Sequence, residues 1–296
     1  MDELKEFERA ALLLPPVIRQ AALDMPELHK ARAEELRLRA GQAPTVVSAG
    51  QEICFRPEHR VTPAELQLAL SIATHASTHT YSDSIKMGFV TSGFGCRLGL
   101  CGTAICEGDS IKSIRRLSSI CIRIPREKRG CATEVFKRIT TNAFASTLII
   151  SPPGAGKTTL LRELIRLISD NGKRVALVDE RSEIGGVFEG LPGFDVGAKT
   201  DILNAAPKAQ GIYLVLRSMS PQIIAFDEIT SPEDIFAADA AANCGVELLA
   251  SAHAYGTEDL LERPLYRQLL SRGIFKHLVV IEARDGKRSY RVESLK

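Results

Sequence analysis

The chain has 296 residues and a formal net charge of +2, a length that accommodates one large domain or two ordinary ones. A charge this close to neutral gives no bulk electrostatic case for nucleic acid or an anionic membrane surface, so nucleic acid is not an expected partner. No apolar run approaches the roughly 20 residues a bilayer span needs, and seven cysteines, an odd number in a chain of this size, argue against a disulfide framework.

The first residues, MDELKEFERA, are acidic and helical in character and do not read as a signal peptide; the expected compartment is the cytoplasm. After this leading helix, AEELRLRAGQAPTVVSAGQEICF predicts short strands around a Gly-Gln turn. In TPAELQLALSIATHAST, Thr62 is the expected N-cap, Pro63 suits the first helical position and Glu65 completes a capping box. Leu66, Ala69, Leu70 and Ala73 then share one helical face. His75 and His79 are four apart on this predicted helix but lack a nearby acidic ligand, and they are expected to face solvent. GFVTSGFGCRLGLCGTAICEGDSI predicts a β-meander with glycine turns. Cys96, Cys101 and Cys106 recur there every five residues without a CxxC pair, and are expected as small buried side chains rather than zinc ligands. SSICIRIP predicts a further strand, stopped by Pro125.

Residues 1–135 are expected to form a smaller mixed α+β N-terminal domain. From residue 136 to 296 the pattern becomes α/β. STLIIS, RVALVDER, QIIAFDEI and VELLASAHA are predicted strands, and KHLVVIEAR and RSYRVESL a closing pair. KTTLLRELIRLISDNG, KAQGIYLVLRSM and SPEDIFAADAAANCG are predicted helices between them. Short apolar strands alternating with helices imply a mostly parallel sheet covered on both faces, an α/β fold.

Between the first of these strands and its helix lies Ser151-Pro152-Pro153-Gly154-Ala155-Gly156-Lys157-Thr158-Thr159. The phosphate-loop pattern is G-x-x-x-x-G-K-[ST]; Ser151 stands at the first glycine position and the rest fits. Gly154 and Gly156 let backbone N–H groups turn toward phosphates, and the following helix offers its unpaired N-terminal amides. Lys157 is placed to reach the β- and γ-phosphates of ATP, and Thr158 to ligate Mg²⁺. All nine residues are assigned to the nucleotide.

Hydrolysis needs a second site. In IIAFDEI, Asp227 at a strand end is the expected Mg²⁺ ligand through water, and Glu228 the expected base that polarises the attacking water. Ligands sit at the carboxyl ends of parallel strands, so two further strand ends belong to the same pocket. His253, with Ser251 behind it, is a candidate γ-phosphate sensor. Glu180, Arg181 and Glu183 are candidates for water, metal or phosphate contacts, with a solvated charged loop as the alternative for each.

Taken together, SPPGAGKTT, LVDERSE, KAQGIYLVLRSMSPQIIAFDEI and LLASAHA resemble, in order, the phosphate loop, acidic box, second-acid region and histidine box of the bacterial secretion ATPase superfamily. Its members are the hexameric motors of type II and type IV secretion and pilus assembly. The resemblance implies a RecA-like P-loop NTPase core, Lys157 and Thr158 at the nucleotide and Mg²⁺, Asp227 and Glu228 at metal and water, His253 as the phosphate sensor, and a homo-oligomer. Glu180 and Arg181 join Lys157, Glu228 and His253 as candidate catalytic residues from their strand-end position. The acidic box departs from the pattern at Arg181 and Ser182. Further phrases, among them ELRLRAGQAP, SICIRIPREKRGCA and FDVGAKTDIL, resemble a sporulation branch of that superfamily. This implies an ATPase peripheral to the mother-cell-side forespore membrane, driving or assembling a channel with membrane proteins of its operon. Such motors complete their sites with arginines from a neighbour or the N-terminal domain, for which Arg115, Arg116, Arg123, Arg126 and Arg129 are candidates. A nucleic-acid-binding P-loop ATPase and an assembly switch with little turnover are the alternative readings.

Overall fold

The computed structural model describes residues 2–75, 81–92, 95–108, 110–125, 127–188, 190–284 and 287–295. Two compact units divide the chain: Met1–Arg126 with Gly186–Gly193, and Glu127–Gly185 with Phe194–Lys296.

The first unit contains α1 (Asp2–Ala11), α2 (Pro16–Leu23), α3 (Glu27–Ala31), β1 (Ala33–Arg39), β2 (Thr45–Ser48), β3 (Gln51–Cys54), α4 (Pro63–Ala73), α5 (Ser82–Lys86), β4 (Phe89–Thr91), β5 (Arg97–Glu107) and β6 (Ser110–Arg123). Its six strands form an antiparallel sheet in the order β3-β2-β1-β6-β5-β4. The capping box forms at α4, where Thr62 accepts from the Glu65 N–H and Glu65 accepts from the Thr62 N–H. The face carrying Leu66, Ala69, Leu70 and Ala73 is buried.

Three expectations for this unit need correction. The helix ends at Ala73, because the Thr74 hydroxyl donates to the Leu70 carbonyl and His75 turns to a φ of +47°. His75 is therefore off the helix, its ring against Phe188, and His79 lies outside the described residues. SSICIRI is no separate strand but the end of the 14-residue β6. A bulge between Cys101 and Thr103 keeps β5 and β6 paired, with Arg116 at a φ of +47°. A Cβ on Gly102 there would sit 2.7 Å from the Arg115 carbonyl oxygen, so only glycine fits. Finally, Cys96 is buried but Cys101 and Cys106 are exposed. The pairings of β1 with β6 and of β4 with β5 end at Ser119 and Gly99, so beyond them the β5–β6 arm has no further strand beside it among the described residues. Arg115 and Arg116 lie on that arm, Arg123 lies at the other end of β6 beside Glu35 of β1, and all three are exposed. Arg126 falls outside the described residues.

The second unit contains α6 (Thr133–Ile139), β7 (Thr147–Ser151), α7 (Lys157–Asp170), β8 (Val175–Asp179), β9 (Thr200–Asn204), α8 (Lys208–Ser218), β10 (Ile223–Phe226), α9 (Pro232–Asn243), β11 (Glu247–His253), α10 (Thr257–Glu262), α11 (Pro264–Ser271), β12 (His277–Arg284) and β13 (Lys287–Ser294). Its sheet has the order β13-β12-β7-β11-β10-β8-β9, and every neighbouring pair is parallel except β12 with β13. Arg129 belongs to this unit and pairs with Asp195 at 2.6 Å.

The apolar strands split their side chains by the two-residue period of the pleat. Leu148, Ile150, Ile224, Phe226, Leu248 and Ala250 pack on the face under α8, α9 and α11. Ile149, Ile223, Ala225, Leu249 and Val279 pack on the opposite face under α6 and α7. Each fully buried Leu, Ile or Phe contributes about 1.5–3 kcal/mol, which explains why continuous apolar runs specify this sheet. The edge strand β9 was not anticipated: TDILN is only partly buried and carries no such run.

Close approach of α8 to the sheet depends on one glycine. A Cβ on Gly211 would lie 2.6 Å from Val178 Cγ1 and 3.2 Å from Leu203 Cδ2. Gly211→Val is expected to lower unfolding stability by about 2 kcal/mol through overpacking, read from the midpoint of urea denaturation; an unchanged midpoint would contradict this close packing.

Candidate nucleotide site

The carboxyl ends of β7, β11, β10 and β8 form one edge. The parallel register sets Ser151 beside His253, Ile150 beside Ala252, Phe226 beside Ala250 and Val178 beside Phe226. The residues that follow each strand therefore converge by register alone.

After β7 the chain turns through Gly154 and Gly156, whose φ values of +73° and +101° are left-handed. Ser151 is buried and its hydroxyl donates to the Pro152 carbonyl at 2.8 Å. Pro153 and Gly154 are exposed, Ala155 is buried, and Thr158 and Thr159 are half-buried in the first turn of α7. Lys157 opens that helix and is buried. Its ammonium donates to the Ser151 carbonyl at 3.2 Å and to His253 Nδ1 at 2.6 Å. Burial lowers the Lys157 pKa to about 8.

An ammonium can only donate, so His253 Nδ1 is the acceptor and the imidazole proton sits on Nε2. That proton points at Glu228 Oε1, with which His253 Nε2 is in direct contact. Burial first, and the neighbouring Lys157 charge second, push the His253 pKa down, which keeps the ring neutral. One hydrogen-bond chain thus joins the phosphate-loop lysine, the strand-end histidine and the acid after β10.

Asp227 beside it is largely buried, and burial raises its pKa to about 6 against the opposing charge of Lys208. Its Oδ1 lies 3.4 Å from the Lys208 ammonium in an ion pair and makes no hydrogen bond of good geometry among the described residues. A buried carboxylate oxygen with acceptor capacity left over suits a divalent cation, hard and oxygen-seeking. Asp227 thereby fits the metal role, with Thr158 at the start of α7.

The turn after β8 divides its charged residues by task. Asp179 is fully buried and accepts from the amides of Glu183, Ile184 and Gly185 at 3.0, 3.1 and 2.8 Å. Arg162 from α7 takes the other side of the same turn, donating to the carbonyls of Glu183 and Ile184. Glu183 is thus held through its backbone. Glu180 is exposed and 3.4 Å from Lys208 Nζ. Arg181 is also exposed, its Nη1 3.9 Å from Glu228 Oε2. Arg181 of this turn thus brings its side chain to the Lys157–His253–Glu228 chain.

The family model described as sporulation stage III, protein AA matches residues 6–292. The chain belongs to that family. Stage III sporulation protein AA of Bacillus subtilis (strain 168) is 36% identical over 281 residues, covering 93% of this chain and 91% of that protein. Among solved structures, the pilus retraction motor PilT with bound ADP aligns with a TM-score of 0.63 at 17% identity, over 95% of this chain and 82% of that one. The Legionella pneumophila ATPase DotB aligns at 0.59 and 16% identity, over 88% and 76%. The fold of this sporulation-family chain is accordingly that of the P-loop secretion ATPases. No helix among the described residues is long and apolar enough to cross a membrane.

Two residues of the site were not read from the sequence. Lys208, the first residue of α8, is buried beneath the acids. Its ammonium donates to the Glu228 carbonyl at 2.5 Å and lies 3.4 Å from Glu180, 3.4 Å from Asp227 and 3.9 Å from Asp234. Tyr266 of α11 accepts from the His253 N–H at 3.4 Å and donates to the Ile229 carbonyl at 3.2 Å, tying the ends of β11 and β10 together. A lysine at a helix start and a tyrosine in a short helix carry no signal in sequence; only the crossings of the sheet bring them here.

Lys208 is the resident counter-charge of this edge. Removing one partner from a buried charged cluster costs about 3–5 kcal/mol, so Lys208→Met is expected to lose stability of that order in urea at pH 8. The deficit should shrink toward pH 5. Asp227 has a folded-state pKa raised to about 6 with Lys208 holding it down, and this pKa rises further in the variant. Below about 6 the carboxyl is therefore neutral in both chains, and as pH rises only the wild type ionises it beside a compensating charge. A deficit independent of pH would contradict this role.

Proposed function

We propose that this chain binds ATP with Mg²⁺ and hydrolyses it as a subunit of an oligomeric motor. The observation that carries this reading is the chain Lys157–His253–Glu228, set at the mouth of a phosphate loop. A loop that only held nucleotide would not require a carboxylate on the same network. Glu228 is positioned by His253 and lies near Arg181, with its backbone carbonyl fixed by Lys208.

The loop amides and Lys157 hold the phosphate chain, and the γ-phosphate draws Lys157 away from His253 Nδ1. Glu228 then accepts a proton from a water molecule, whose oxygen bonds to the γ-phosphorus as the bond from phosphorus to the β–γ bridging oxygen breaks. The electron pair of that bond leaves on ADP. The neutral His253 reports the γ-phosphate, since its Nδ1 loses the Lys157 donor when phosphate takes it. Thr158 and Asp227 would hold Mg²⁺, which supplies charge neutralisation on the phosphate oxygens.

The family membership supports a role in sporulation, with the protein peripheral to the mother-cell-side forespore membrane. There it would power or assemble a channel with membrane proteins of its operon. Secretion ATPases of this fold support a homo-oligomer, possible subunit numbers including six, with arginines of a neighbouring copy finishing each site.

Turnover by the full chain over a protein concentration series tests this. The specific rate is expected to rise steeply with concentration. Glu228→Gln is expected to lose about 10²–10⁴-fold in rate while still binding ATP. Slow turnover that is flat with concentration and indifferent to Glu228 would contradict the motor and favour a nucleotide-driven assembly switch.

A further inference from the structure

The C-terminal hairpin comes to the phosphate loop by register. β12 runs parallel to β7 with Val280 beside Ile150, so its carboxyl end continues past the level at which β7 gives way to the loop. β13 returns with Arg288 beside Ala283, three residues further along than Val280. From there the Arg288 side chain lies against the loop backbone: a Cβ on Gly156 would meet its Cζ at 3.0 Å, Nε at 3.1 Å and Nη1 at 3.3 Å.

This is an unfavourable place for an unpaired cation. Gly156 is the N-cap of α7, and a helix N-terminus carries partial positive charge and unpaired N–H groups. Lys157 follows directly in sequence. Arg288 is exposed and has no ion pair among the described residues, whereas Arg291 on the same strand is paired with Glu282 and Glu293. Two cations and a helix N-terminus gathered with no acid paired to Arg288 among the described residues are complementary to a polyanion, and a guanidinium matches phosphate oxygens through its fork of donors.

We propose that Arg288 is a second cationic contact of the nucleotide, supplied by the same chain, which grips the diphosphate shared by ADP and ATP. This rests on the nucleotide-binding reading above. Arg288 lies against the backbone of Gly156, while the Lys157 ammonium meets His253 and, through its ring, Glu228. The reacting end is thus assigned to Lys157, His253 and Glu228, and the diphosphate to the loop backbone and Arg288. Arg288 was not among the arginines singled out in the sequence, since it lies some 130 residues beyond the loop in a basic strand.

Equilibrium binding of ADP and of ATP to the full chain, wild type beside Arg288→Ala, tests the assignment. The substitution is expected to weaken both nucleotides by about tenfold to a hundredfold, the scale of one charged hydrogen-bond contact, with the nucleotide-free melting temperature unchanged. Wild-type affinity for both nucleotides in Arg288→Ala would overturn the contact. A loss confined to ATP would move it to the γ-phosphate and overturn the diphosphate assignment. Absence of ADP binding by the wild-type chain would overturn the nucleotide reading itself, a failure distinct from that of Arg288.

Discussion

The ammonium of Lys157, held between the Ser151 carbonyl and His253 Nδ1, is the interaction on which the site depends. It fixes three things at once. It keeps a buried cation satisfied, it selects the neutral His253 tautomer with its proton on Nε2, and through that proton it orients Glu228. Each partner comes from a different strand end, so the arrangement exists only while β7, β11 and β10 keep their register. A slip of one residue would turn every inward side chain outward, and the packing on both faces of this sheet makes that slip prohibitive.

The rest of the second unit supports that edge. Asp179 and Arg162 hold the turn after β8 by its backbone amides and carbonyls, which frees Glu180 and Arg181 to face Lys208 and Glu228. Lys208 balances Asp227 and Asp234, and Asp234 in turn caps α9 through the amides of Thr230 and Ser231. Tyr266 joins the ends of β10 and β11. The acidic edge is therefore charge-compensated by built-in cations, and Asp227 retains an oxygen that no hydrogen bond in the described residues uses.

Legibility in the sequence followed how local each determinant was. The loop from Ser151 to Thr159 was readable because glycine, lysine and threonine spacing encodes its backbone directly. Glu228 and His253 were readable as polar residues ending apolar runs, and the parallel register then brings them together. The buried strands announced themselves through continuous apolar runs, whereas β9, half-exposed at an edge, did not. The cysteines of β5 misled because alternation says which residues share a face but not where neighbouring strands stop. Lys208, Tyr266 and Arg288 owe their positions to long-range crossings, and nothing in their own neighbourhoods distinguishes them from surface residues.

The most direct test is ¹⁵N NMR of the His253 ring, identified by the resonance missing in His253→Gln. Without nucleotide, Nδ1 should show the signal of a hydrogen-bonded acceptor and Nε2 that of a protonated nitrogen. A non-hydrolysable ATP analogue with Mg²⁺ should change the Nδ1 signal as Lys157 leaves it, while ADP should change it less. A ring already charged at neutral pH, or one indifferent to the analogue, would contradict a lysine–histidine–glutamate network that senses the γ-phosphate.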